Sequence, residues 1–310
     1  MKHNVLGKAR LQVSAIGLGA SSLGGGVFGD VEEAIAIRTV HAALASGVTL
    51  IDVSPFYGHT RAETVLGKAL KGIARDRFIL STKVGRYGED VFDFSAARIE
   101  QSIDESLQRL GIEYVDILHA HDVEYGDLKL IVEETIPALR EIVAKGKSRH
   151  VGVTGYPLAA LNTVIAYSDI DCVLSYNHCA LNDTTLLDFL PAWMELDIGV
   201  INAGAFSQGL LISDKLPAWH PAPEHVRRVC SEAVHLIQSE GVDPATLAIQ
   251  YATMQPGIAS TLAGAAKPEE IVAAVKASEE PVDEQLLEAV LQILEPIHNR
   301  VWQTGRSENN

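Results

Sequence analysis

Four side chains able to handle a proton together fall on three consecutive strand-and-loop units. Asp52 and Tyr57 lie in IDVSPFYGHT (51–60), Lys83 in FILSTKV (78–84) and His121 in VDILHAHD (115–122). A free tyrosine ionises at about pH 10, far from operating conditions. A nearby ammonium favours the phenolate, and a carboxylate can hold that ammonium in place. With an imidazole beside them, these groups make an acid/base device for about neutral pH. Each residue alone has an ordinary use: a buried aspartate as an anchor, a tyrosine or histidine as packing, a lysine reaching to solvent. Their convergence at one rim is what points to catalysis. His119 and His121 are two apart and share one side of a strand; His121 is nearer the rim and is the better candidate.

The elements that must position these residues recur through the chain. Apolar strand-like runs occur at 15–20, 48–54, 78–84, 115–122, 150–155, 172–177, 199–205 and 258–264, with helical patterns between them. Thr60 and Glu63 read as a capping box for one helix, Pro137 as a break or restart in another, and Asp243-Pro244 as N-cap and first residue of a third. Strands this apolar belong to a parallel sheet covered on both faces. Eight such units favour an α/β fold closed into a (β/α)8 TIM barrel. No linker or composition shift marks a second domain, so 1–310 reads as one barrel with a disordered tail from about residue 303. Active sites of such barrels lie at the C-terminal ends of the strands.

Composition narrows the function. The chain has 310 residues, 47% of them hydrophobic, with a formal net charge of -15. So acidic a surface argues against nucleic-acid binding. No run approaches the ~20 apolar residues of a membrane span, and the first residues lack the apolar core of a signal peptide. Cys172, Cys179 and Cys230 have no metal spacing and read as buried small hydrophobes. The expectation is a cytoplasmic enzyme without metal, membrane or obligate protein partner.

In order and strand position, Asp52, Tyr57, Lys83 and His121 resemble the tetrad of the aldo-keto reductase superfamily. FYG after the aspartate, STKVG around the lysine and DILHAHD around the histidine fit it too, and the likeness runs from about residue 4 to 300. FDFSAARI and WHPA are not general features of the superfamily; they resemble its branch of sugar dehydrogenases acting on aldoses at C1. The resemblance implies a small sugar substrate and hydride transfer to a nicotinamide cofactor held in extended form. Consistently, no G-x-G-x-x-G opens a helix. A general NAD(P)H-dependent aldehyde or ketone reductase is the nearest alternative, and a non-catalytic redox-sensing subunit a more distant one.

The same resemblance implies the cofactor contacts. Gly19 ends the first strand. Thr154-Gly155 stand where relatives carry Ser-Asn, and Val173 where they carry Gln, leaving Ser175 as a substitute. The loop Ala205, Phe206, Ser207, Gln208, Gly209 and Leu210 would pass over the pyrophosphate, with Phe206 next to the place of the usual stacking aromatic. Where NADP-preferring relatives carry Lys and Arg, this chain has Gly264 and Glu270, with Lys267 between. A carboxylate beside a phosphate is repulsive, so the cofactor expected is NAD. Candidate sugar contacts are His59, Tyr87, Asp122, Asn177, His178, Trp219 and His220.

Overall fold

The computed structural model describes residues 1–25, 31–213, 216 and 220–310. An antiparallel hairpin, β1 (His3–Leu6) and β2 (Leu11–Ser14), precedes eight parallel strands. These are β3 (Ile16–Gly19), β4 (Leu50–Asp52), β5 (Ile79–Val84), β6 (Val115–His121), β7 (Ser148–Gly155), β8 (Cys172–Tyr176), β9 (Gly199–Ala203) and β10 (Ser260–Gly264). They pair in sequence order and β10 pairs with β3, closing the barrel. All eight expected strands are present, and helices lie outside them. Among the described residues no helix is long and apolar enough to cross a membrane.

Alternation along each strand decides which side chains reach the lumen. Ile51, Val53, Leu80, Val84, Leu118, Ala120, Val151, Val153 and Val173 pack in the layer between strands and helices. Leu50, Ile117, Cys172, Leu174, Ile201 and Leu262 fill the barrel interior. By the same phase Asp52, Ser81, Lys83, His119, His121, Gly152 and Thr154 point inward. Gly152 makes room for His119: a Cβ there would lie 2.2 Å from His119 Nδ1. His119 therefore fills the core, one layer below His121.

The hairpin has no counterpart in the strand-and-helix pattern of the sequence. Its Leu6 and Val13 join the interior cluster, and Lys8 N donates to Asp197 O just ahead of β9. It thus closes the N-terminal end of the barrel. The three cysteines are free and buried; burial pushes the thiols of Cys179 and Cys230 up to about 12, so none is a thiolate at neutral pH.

Three local details depart from the sequence pattern or refine it. Thr60 precedes the helix Arg61–Leu70 at a φ of 73° and makes no side-chain cap. Glu63 does not reach back to it; its carboxylate is buried against Thr82 and Arg109 instead. Pro137 opens the helix Ile136–Ala144 directly after a wide π turn, Ile131–Thr135. The segment expected to be disordered from about residue 303 is ordered. Asn309 Nδ2 donates to the carbonyls of Glu124 and Gly126 at 2.8 and 2.9 Å, and Arg306 N to that of Glu124 at 2.9 Å. Composition suggested a polar tail; its polarity is spent on these backbone groups after β6.

Candidate active site

Asp52 ends β4, Lys83 is the penultimate residue of β5 and His121 ends β6, so all three emerge at the C-terminal rim. Tyr57 reaches them from the turn after β4, which is folded by Tyr57 N donating to Ser54 O at 3.1 Å and Thr60 N to Pro55 O at 2.8 Å. Lys83 Nζ donates to Asp52 Oδ2 at 2.5 Å, to Val53 O at 2.9 Å and to Tyr57 OH at 3.1 Å. These use the three donors of the ammonium, which is 1% exposed. Ser81 Oγ donates to the other oxygen of Asp52 at 2.6 Å. The Tyr57 and His121 rings meet edge to face at 5.9 Å. The structure thus brings the four sequence candidates together.

The electrostatics are partly other than expected. Burial works against the charge of Lys83, but Asp52 and Tyr57 outweigh it and hold the ammonium above its ordinary pKa. The sequence led us to expect a lowered Tyr57. Burial instead raises it, Lys83 pulls it down and Asp52 raises it again, and the net direction is up. His121 is held well below the ordinary imidazole range by burial, Lys83 and Arg86, so it is uncharged at neutral pH.

Around the tetrad lie residues that the sequence did not single out. Ser54 Oγ sits 3.1 Å from His121 Nδ1. Arg86 pairs with Asp122 at 2.5 Å and lies over the Phe56 ring at 3.9 Å. Tyr176 OH lies 3.4 Å from carboxylate oxygens of both Asp122 and Glu124, with one proton to share between them. Ser54 and Ser81 stand two residues from Asp52 and Lys83, so strand alternation could have found them. Arg86, Tyr176 and Glu124 come from separate loops and a distant strand, and only the closed barrel unites them.

The expected substrate residues divide. Asp122 joins the site, with Oδ2 3.6 Å from His121 Nε2. Asn177 is 3% exposed, follows β8, and its side-chain amide has no partner. His59 is exposed, at a φ of 50°. Tyr87 turns away: its hydroxyl accepts from Gly85 N at 3.1 Å and Arg98 covers its ring at 4.0 Å. His178 is committed to the fold, with Nε2 2.7 Å from Tyr156 O and Nδ1 2.9 Å from Thr185 Oγ1. His220 braces its own segment, Nδ1 accepting from Ala222 N at 3.1 Å. These three make internal contacts because loops this polar need partners for their backbone groups. Trp219 lies outside the described residues. Trp302 stacks on Tyr156, with ring centroids 5.5 Å apart.

A family model described as Aldo/keto reductase family matches residues 15–295. The chain belongs to the aldo-keto reductase family. This aldo-keto reductase is 44% identical to L-galactose dehydrogenase of Arabidopsis thaliana over 98% of each chain. It is 33% identical to D-arabinose 1-dehydrogenase of Saccharomyces cerevisiae, over 74% of this chain and 73% of that one. Among solved structures, an aldo-keto reductase of Bacillus halodurans superposes with a TM-score of 0.82 at 26% identity, covering 99% of this chain and all of that one. The protein is an oxidoreductase, of a family that uses nicotinamide cofactors.

The rim fits such a group on one side. Gly19, Ala203 and Gly264 end the adjacent strands β3, β9 and β10, so these three strand ends carry no side chain larger than a methyl group. Beyond β9, Ser207, Gln208 and Gly209 have φ of 49°, 57° and 105°, a tight left-handed run in which the amides of Ser207 and Gly209 bond back to Gly204 O and Phe206 O at 2.8 and 3.0 Å, and Gln208 Oε1 is buried without a partner. Ala205, Phe206 and Leu210 complete this turn. Thr154 points inward beside His121 in the sheet register. Ser175 does not fit. It shares the outward phase of Val173, toward the helices, because Cys172 and Leu174 take the lumen. Glu270 Oε2 accepts from the amides of Ala266 and Lys267 at 2.7 and 3.2 Å, just past Gly264, and Lys267 is exposed.

Proposed function

We propose that the protein oxidises an aldose at C1 to its lactone with NAD, the sugar being L-galactose or a similar L-sugar. The observation that carries this reading is the buried bridge from Asp52 through Lys83 Nζ to Tyr57 OH, beside an uncharged His121. Identity of 44% over nearly the full length of an L-galactose dehydrogenase supports the sugar class. The bound nicotinamide supplies the hydride acceptor. Tyr57 takes the proton of the C1 hydroxyl, Lys83 stabilises the developing phenolate, and Asp52 keeps Lys83 charged and in place. His121 hydrogen-bonds the same oxygen and orients it. Glu270 supports NAD over NADP, because its carboxylate occupies the helix-terminal amides that would otherwise favour a phosphate.

One observation favours a second reading, carbonyl reduction. Tyr57 raised above its ordinary pKa is a phenol at neutral pH, ready to act as an acid. One experiment separates the two. Nicotinamide absorbance is followed with free aldoses and NAD, with the same sugars and NADP, and with simple aldehydes and reduced cofactors. Saturable oxidation of an L-sugar with NAD, rising toward alkaline pH as Tyr57 ionises, is the expected result. Brisk aldehyde reduction with no sugar oxidised would replace the dehydrogenase reading, and equal efficiency with NADP would overturn the role of Glu270.

A further inference from the structure

The turn that carries Tyr57 also meets His121 by a polar contact, and Ser54 makes both that contact and the hydrogen bond that folds the turn. The Ser54 carbonyl accepts from Tyr57 N at 3.1 Å. Its hydroxyl oxygen accepts from Phe56 N at 3.1 Å and lies 3.1 Å from His121 Nδ1. Ser54 is fully buried. We propose that Ser54 is a positioning residue that fixes His121 in the tautomer with its proton on Nε2. The proposal rests on the reading above only where it assigns a use to that proton.

Hydrogen-bond bookkeeping separates the two tautomers. A serine hydroxyl has one proton to give. With Nδ1 bare, Ser54 gives it to His121 while its lone pair takes the Phe56 amide, and all three groups are satisfied. The other ring edge agrees: Nε2 faces Asp122 Oδ2 at 3.6 Å, and a carboxylate there favours an N–H. In the opposite tautomer both Phe56 N–H and Nδ1–H would point at the Ser54 oxygen. The serine proton would then have no acceptor among the described residues, and a bare Nε2 would face a carboxylate. Leaving a buried donor unmatched is costly. The favoured tautomer presents Nε2–H as a neutral donor, which is what a developing alkoxide or carbonyl oxygen requires. Ser54 thereby sets His121 through its side chain and the Tyr57 turn through its backbone.

The test is nitrogen-15 NMR of the full chain with labelled histidine, His121 being assigned among the 11 histidines by its loss in His121→Gln. The expected spectrum shows a bare Nδ1 and a protonated Nε2. Ser54→Ala shifts the population toward protonated Nδ1 and lowers kcat by about tenfold, with KM changed less than about twofold. Ser54→Thr retains the hydroxyl, the tautomer and most of kcat. A protonated Nδ1 in the parent protein, or an unchanged tautomer in Ser54→Ala, overturns the proposal. A shifted tautomer with full turnover upholds Ser54 as the determinant and refutes instead the part given to His121 in the reaction.

Discussion

Strand β5 serves two buried ion pairs, one on each face. Inward, Asp52 takes a hydrogen bond from Ser81 at 2.6 Å and pairs with Lys83 at 2.5 Å. Outward, Glu63 takes one from Thr82 at 2.7 Å and pairs with Arg109 at 2.7 Å. Both carboxylates are buried, and each is held by one β5 hydroxyl and one cation. The difference lies in what else the cation touches. Lys83 is 1% exposed and passes a third hydrogen bond to Tyr57 OH; Arg109 is 20% exposed and turns its remaining donors to Ser106 and solvent. One pair holds a proton-handling group in the lumen, and the other ties two helices to the sheet. Residue type does not separate them; strand phase does.

The sharpest way to break the comparison is to remove the two cations. Lys83→Met should lower turnover by about a thousandfold or more, because Tyr57 loses its electrostatic partner. It also strands Asp52, so adding Asp52→Asn should recover stability without recovering turnover. Arg109→Ala strands Glu63 and should cost about 3 kcal/mol in thermal or denaturant unfolding, while turnover below the melting range stays within about twofold of the parent. If Arg109→Ala lost turnover as steeply as Lys83→Met, the division into a reactive and a structural pair would be wrong.

The same contrast explains what was legible in the sequence. The eight strands were readable because each is a continuous apolar run, and the tetrad because its members sit at the ends of such runs. Glu63 was misread. T-x-x-E at a helix start satisfies a local rule, but Thr60 adopts a left-handed φ of 73° and the carboxylate finds stronger partners across the sheet. The direction of the Tyr57 pKa was misread for a related reason: sequence shows which charges are near and hides how far water is excluded. Tyr87, His178 and His220 looked like loop donors awaiting a sugar, and each is engaged within the fold. The hairpin was missed because two four-residue strands carry too short an alternation to stand out.

Glu124 sharpens the comparison as a further buried carboxylate, one with no lysine or arginine paired to it among the described residues. Its Oε1 accepts from Tyr156 N at 3.1 Å and from the Thr304 and Tyr176 hydroxyls at 3.3 and 3.4 Å, while Oε2 has no partner. Burial, then the nearby Asp122, pushes its pKa up to about 8. The folded protein therefore keeps a proton on Glu124 at a pH where the unfolded chain has released it. Stability from this group is complete below the ordinary carboxylate pKa of 4.5 and is lost as pH rises through about 8. Glu124→Gln keeps the shape and removes the titration. It should change the melting temperature little at about pH 5 and raise stability by on the order of 4 kcal/mol at about pH 9. Asp52 and Glu63, held by cations, should behave oppositely: Asp52→Asn and Glu63→Gln should lose stability at both pH values. A Glu124→Gln variant that loses stability at about pH 9 would mean that its charge is compensated after all, and that this barrel can hold a charged carboxylate at this place without a lysine or arginine paired to it.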